Sequence, residues 1–157
     1  MTRIVAFNGS PKGRTSRTQL LVDAFLEGAR SAGAETETVF LAEKSIRPCD
    51  ECMGCWILNG GGECAQEDDG PALLEKALES DFVVLATPLL MDSMSGILKL
   101  FLERWLPLMH PRFRAQHGQG SLPARTGRVP DWIILSSCSF PEQFHFQPMS
   151  LMFRELS

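Results

Sequence analysis

Four of the five cysteines in this 157-residue chain, Cys49, Cys52, Cys55 and Cys64, fall within one short segment. Thiolates spaced as C-x2-C-x2-C-x8-C can close around a 4Fe–4S cluster or a zinc ion, or work as free redox-active thiols, and all three readings stay open. A different chemistry stands near the start, where Gly9-Ser10-Pro11-Lys12-Gly13-Arg14-Thr15-Ser16-Arg17-Thr18 follows the apolar run Ile4 to Phe7. Glycines allow close backbone approach, hydroxyls hydrogen-bond, and a helix N-terminus presents unpaired N–H groups with partial positive charge, a combination that suits phosphate. The segment matches neither G-x-G-x-x-G nor G-x-x-x-x-G-K-S/T, which favours a terminal phosphate monoester over a dinucleotide or nucleoside triphosphate. An ordinary Ser/Thr-capped helix start explains it equally well when it is taken alone.

Two further turns are rich in small and hydroxyl side chains. Ala86 to Lys99, ATPLLMDSMSGILK, is apolar with hydroxyls leading into a helix, and a flat aromatic ring could rest on it. Ser136-Ser137-Cys138-Ser139-Phe140-Pro141-Glu142 is the other. His110, His117 and His145 are widely spaced and form no paired ligand pattern, so each reads as a surface or loop histidine. Trp56 reads equally as loop packing or as a shield for a cofactor; Met91 and Met94 read at least as well as packing residues, and Cys138 as a small packing residue. Asp68 and Asp69 read as helix caps rather than metal ligands.

The elements that must position these turns follow from periodicity. Ile4–Phe7, Thr36–Leu41, Phe82–Thr87 and Trp132–Ser137 read as strands, the third uninterrupted in its apolar character as a strand covered on both faces must be. Thr18–Arg30 reads as a helix closed by Gly33, Pro71–Ser80 as a second, and Ser95–Leu106 as a third stopped by Pro107. The cysteines then lie in a loop over 42–70, an Arg-rich loop spans 107–130, and a terminal helical stretch is interrupted by Pro148. Strand and helix alternate, so the expected fold is α/β: a doubly wound parallel sheet in a three-layer α/β/α sandwich, one domain over 1–157. A five-stranded unit of that kind would need a further strand and helix after residue 157. Open parallel sheets bind ligands outside the carboxyl ends of their strands, where the three turns fall.

Composition bounds the partners. Nineteen acidic against fifteen basic residues give a net charge of −4, which argues against a general nucleic-acid binder. No apolar run approaches the ~18 residues of a membrane helix, and no signal peptide opens the chain, so a soluble cytoplasmic protein is expected, with structural disulfides improbable. Acidic residues concentrate over 35–81, whereas 104–130 holds Arg104, Arg112, Arg114, Arg125 and Arg128 and no acid. That segment reads as a solvated loop or, less simply, a docking patch for an anion or a second subunit.

Taken together, GSPKGRTSRTQLL, PCDECMGC with GECAQEDD, ATPLLMDSMSGILKLFLER and SSCSFPEQFHF, in this order across nearly the whole chain, resemble the flavodoxin-like NAD(P)H-dependent FMN reductases, in the branch related to the iron–sulfur flavoproteins. The resemblance implies FMN at the sheet's carboxyl edge, its phosphate on Ser10, Lys12, Arg14, Thr15, Ser16 and Thr18. The isoalloxazine would rest against Thr87, Pro88, Leu89, Leu90, Met94, Ser95 and Gly96, with Ser137, Cys138 and Ser139 beside it. It implies electron transfer from NAD(P)H through FMN to a small acceptor such as a flavin or quinone. One departure stands out: the family often has an aromatic residue where Leu90 stands, and the chain has no tyrosine. Two alternatives accompany this reading. One is an electron carrier with a 4Fe–4S cluster on the cysteine loop and a protein redox partner; the other is a cofactor-less binding module. A homodimer or homotetramer is expected, because an open sheet edge is a pairing liability.

Overall fold

The structure, a computed structural model, describes residues 1–58, 61–112, 114–116, 119–125 and 129–156. His117 and Arg128 lie outside the described residues, as does the side chain of Arg114. The chain runs β1 (Arg3–Asn8), α1 (Arg17–Ser31), β2 (Glu35–Phe40), α2 (Gly54–Ile57), α3 (Gly70–Leu78), β3 (Phe82–Pro88), α4 (Gly96–Glu103), β4 (Arg114–Gln116), β5 (Gln119–Ser121), β6 (Asp131–Ser137) and α5 (Gln147–Leu156). Four strands form a parallel sheet in the order β2-β1-β3-β6, with Val5 opposite Val83 and Val83 opposite Trp132.

Successive strand residues face opposite sides of a sheet, and here helices cover both. Ile4, Ala6, Val84 and Ala86 pack with Val22 and Leu26 of α1. Val5, Phe7, Val83 and Leu85 pack on the other side with Leu73 and Leu74 of α3, Leu98 and Phe101 of α4, and Met149 and Phe153 of α5. An aromatic chain runs through that second layer, Phe7 to Phe101 at 4.6 Å, Phe101 to Trp105 at 5.6 Å and Trp105 to Trp132 at 5.2 Å between ring centroids. The result is the expected α/β/α sandwich.

Helix ends explain most boundaries. Ser16 caps α1 by accepting the Gln19 N–H at 3.0 Å, and Gly33, at φ +88°, closes it with its N–H on Arg30 O. Elsewhere the structure corrects the reading. The third helix ends at Glu103, not Leu106, and Pro107 sits inside a 3-10 turn, Leu106–Leu108. Pro148 does not interrupt the last helix; it stands in the first turn of α5, where no N–H is needed. The segment 107–130 carries the short antiparallel pair β4–β5, whose three-residue strands are too brief to show a period. Within 42–70 the single turn of α2 interrupts the loop. Among the described residues no helix is long and apolar enough to cross a membrane.

Candidate functional site

The turn between β1 and α1 is organised by Asn8, a polar residue that ends an apolar strand and is fully buried. Its Oδ1 accepts the Ser10 N–H at 2.8 Å, while Nδ2 donates to Gln19 Oε1 at 2.8 Å and to Ser16 Oγ at 3.5 Å. Gly9 passes so close to α4 that a Cβ there would lie 2.7 Å from Leu98 Cβ. The Ser10 hydroxyl accepts the Lys12 N–H at 3.3 Å, and Gly13 takes a left-handed φ of +49°, which bends the loop into a cradle over the helix start. The Arg17 and Thr18 N–H groups occupy the first two positions of a fifteen-residue helix, where helical geometry offers no acceptor. The residues fit a phosphate, although not all six named from sequence share the task.

Ser16 is committed to the cap, donating to Gly13 O at 2.7 Å and accepting from Gln19. Arg14 forks onto Glu43 at 2.8 and 2.9 Å and lies over the Phe40 ring at 4.3 Å. The Arg14 hydrogen bond holds the Glu43 carboxyl below the usual carboxylate range. Lys12 is exposed and has no ion-pair partner among the described residues. Thr15 is exposed and donates to Lys12 O, while Thr18 is buried.

The turn after β3 is clipped to the same edge. Ser95, the N-cap of α4, donates from Oγ to Gly9 O, accepts the Leu98 N–H, and gives its own N–H to Thr87 Oγ1 at 2.9 Å. Thr87 and Ser95 are therefore buried structural clips whose hydroxyls are already used. Leu89 N–H donates to Ser137 O at 2.8 Å, tying this turn to the end of β6. Leu90 is half-exposed and pairs with Ser93 across a tight turn, Met94 is core, and a Cβ at Gly96 would meet nothing. Cys138 Sγ accepts the Phe140 N–H at 3.4 Å, shaping the turn in which Ser139 sits. The Ser136 hydroxyl, read from sequence as part of this turn but not as a site residue, is buried there without a hydrogen-bond partner among the described residues. Also overlooked was the contact of His145 with Asp92 at 3.0 Å, which makes this histidine more than a loop residue.

Cys49, Cys52, Cys55 and Cys64 line one cavity of about 20 Å³, room for about one water. Burial pushes the Cys55 thiol up, and Cys64, Cys49 and Cys52 add to the shift. All five cysteines are free thiols. Cys64 Sγ accepts a hydrogen bond from Arg104 Nη2 at 3.2 Å, and the Cys52 thiol and N–H serve Asp50. Among the described residues no three His, Cys, Asp or Glu side chains are placed to hold one metal ion. As arranged, the described residues form no ready ligand set, and the Arg104 bond does not itself bar one, because metal-bound thiolates accept N–H hydrogen bonds. Trp56 is loop packing, its Nε1 donating to Leu106 O at 3.1 Å.

Arg104 corrects the reading of a solvated arginine patch. Its side chain is 2% exposed and forks onto Asp68, itself 3% exposed, at 2.6 and 3.1 Å. Arg125 likewise packs inward, its Nε donating to Pro107 O and its guanidinium where a Cβ on Gly61 would stand. Asp68 and Asp69 do not cap α3 with their side chains in the expected way. Asp69 accepts the Ser45 N–H, and Asp68 accepts those of Arg47 and Gly70, so the pair fastens the cysteine loop. Two grooves of about 460 and 510 Å³ lie off the carboxyl edge, one beside Cys64 and α3, the other between Trp105 and Leu156.

Known proteins resemble this chain in sequence and in fold. The chain is 33% identical over 126 residues to an iron–sulfur flavoprotein of Archaeoglobus fulgidus, covering 80% of this chain and 55% of that one. It is 33% identical over 106 residues to an iron–sulfur flavoprotein of Methanocaldococcus jannaschii, covering 68% and 53%. The chain thus spans about half the length of the curated relatives it matches. The NAD(P)H:quinone oxidoreductase of Methanothermobacter marburgensis shares the fold, with a TM-score of 0.70 at 18% identity over 99% of this chain and 74% of that one. The family model described as NADPH-dependent FMN reductase matches residues 2–118, from β1 through the cradle, the cysteine loop and α4. With the turn after β1, the clipped second turn and three of the four parallel strands inside that span, the chain belongs to the NADPH-dependent FMN reductase family.

Proposed function

We propose that the chain, acting over 1–157 as one flavin-binding unit, passes electrons from NAD(P)H through bound FMN to a small acceptor such as a flavin or quinone. The observation that supports this is the turn built on buried Asn8, which fixes Ser10 and ties the loop to the start of α1 at the carboxyl edge. Ser10, Lys12 and Thr15, with the N–H groups of Arg17 and Thr18, would hold the FMN phosphate. Leu89, Leu90 and Ser137 to Ser139 would border the ring. The chemistry FMN supplies when bound is hydride transfer between a nicotinamide and an acceptor; position and electrostatics are the protein's part.

The test is a flavin fluorescence titration, followed by NADPH and NADH oxidation with menadione, and iron and acid-labile sulfide analysis after anaerobic purification. We expect micromolar or tighter FMN binding, oxidation of a nicotinamide without any protein partner, and iron well below the roughly four atoms per chain of a filled cluster. Stoichiometric iron and sulfide with no nicotinamide oxidation would replace this reading with the cluster-bearing electron carrier. No flavin binding at tens of micromolar would leave the cofactor-less module.

The proposal extends to a homodimer or homotetramer. β6 is an edge strand whose residues from Trp132 to Ser137 are only half-buried, and such an edge invites pairing. Light scattering on a sizing column is expected to give at least twice the 17.4 kDa chain mass; a monomer at micromolar concentration removes this part.

A further inference from the structure

The carboxyl edge carries an aromatic cluster that the phosphate cradle and the flavin border do not use. His145 Nδ1 meets Asp92 Oδ1 at 3.0 Å, joining the 3-10 turn Gln143–Phe146 to the tip of the turn after β3. The Phe140 ring stacks with the imidazole at 4.8 Å and 29°, and the Phe144 ring lies 4.1 Å from it at 30°. The imidazole is 19% exposed, but Phe140 and Phe144 keep 63% and 57% of their surface open. Beside them Met91 is 99% exposed on a turn in which Met91 and Asp92 both take left-handed φ, 51° and 56°. Non-glycine residues in that region store strain, which clusters at ligand sites.

We propose that Phe140, Phe144 and His145 form a binding platform for the flat, electron-poor, uncharged ring of the electron acceptor. The inference rests on the flavin reading above and deepens it. Stacked rings prefer a partner of complementary electron density at such separations. Charge selects the occupant: Asp92 is bonded to one ring nitrogen, and Glu142 Oε2 stands 4.0 Å from the other. Two carboxylates repel the phosphates of a nicotinamide dinucleotide and leave a neutral quinone-type ring as the fitting guest. Asp92 acts as a positioning residue, holding the imidazole in the stack.

The experiment uses FMN-loaded, oxidised protein with menadione and no reductant, so that binding is read apart from turnover. Phe140→Ala and Phe144→Ala are expected to weaken menadione about tenfold each, by lost stacking and contact, and to raise its KM with little change in kcat. FMN and NADP+ affinities are expected to hold. The ring protons of His145, assigned by a His145→Gln variant, are expected to shift on menadione addition, a signature no merely structural role would give, and Asp92→Ala is expected to reduce that shift. Normal FMN binding with unchanged menadione affinity in both phenylalanine variants overturns the platform alone. Parallel loss of FMN or NADP+ affinity also overturns it, by assigning the rings to those ligands. Wild-type protein that binds no FMN overturns the flavin reading and this one with it.

Discussion

Asp68→Asn is expected to destabilise the protein by about 3–5 kcal/mol, the cost of leaving one charge of a buried pair without its partner. Arg104 and Asp68 are each nearly inaccessible and meet through two hydrogen bonds. The carboxylate also accepts the Arg47 and Gly70 N–H groups at 2.8 Å, while the guanidinium donates to Arg47 O and Cys64 Sγ. One ion pair therefore holds α4, the entry to the cysteine loop and its exit. Gly70 is part of the fit, since a Cβ there would lie 2.9 Å from Asp68 Oδ1 and 3.0 Å from Arg104 Nη2.

An asparagine keeps the shape and removes the counter-charge, and the loss is expected in urea unfolding at pH 7. The double variant Asp68→Leu with Arg104→Met is expected to lose less than Asp68→Asn alone, because it buries no unpaired charge. Burial opposes ionisation of Asp68, yet the Arg104 bond and the two N–H donors outweigh it and hold the carboxyl below its usual range. A depressed folded-state value means that stability is fully present above the unfolded carboxylate value of about 3.9 and is lost as pH falls below it towards the folded value. The wild type should thus lose stability in that acid window, and Asp68→Asn should lose less there. A loss under about 1 kcal/mol at pH 7 would show that the pair contributes no more than a surface bridge.

Asn8→Ala is expected to cost about 2–3 kcal/mol and to weaken FMN at least tenfold, with a larger effect on affinity than Thr15→Ala. The side chain makes three buried hydrogen bonds, and its removal leaves the Ser10 N–H and Gln19 Oε1 without those partners inside the protein. The Ser10 amide sets the first bend of the cradle, so its release loosens the backbone groups expected to face the phosphate. Chemical unfolding gives the first effect and flavin fluorescence the second. Wild-type FMN affinity in a measurably destabilised Asn8→Ala would move the phosphate away from this turn.

Much of the scaffold was legible. The uninterrupted apolar runs of β1 and β3 announce strands buried on both faces, Ser16 and Gly33 mark the ends of α1, and each of these signals acts within a few residues. Misreadings came where one residue type has two local meanings. Pro148 is compatible with a helix break and with a helix start, and only the chain direction before it decides between them. Asp68 and Asp69 stand where caps belong, yet a carboxylate accepts whichever donors come nearest, and here those are the N–H groups of Ser45, Arg47 and Gly70.

Local order in this protein follows from residue type and near-neighbour spacing: the four parallel strands, the course of α1, α3 and α4, the cysteine segment as a loop, and the turn after β1. The pairing of distant charges does not. Asp68 and Arg104 are 36 residues apart, Cys64 and Arg104 40, and Asp92 and His145 53. Sequence reading placed Arg104 in a patch with four other arginines because charge counts along a chain carry no information about depth. It left His145 on a loop because periodicity ends where irregular turns begin. Which side chains meet at the carboxyl edge, and which cation is sealed beneath the thiols, depends on how the helices pack across the sheet, a long-range choice made by the whole core.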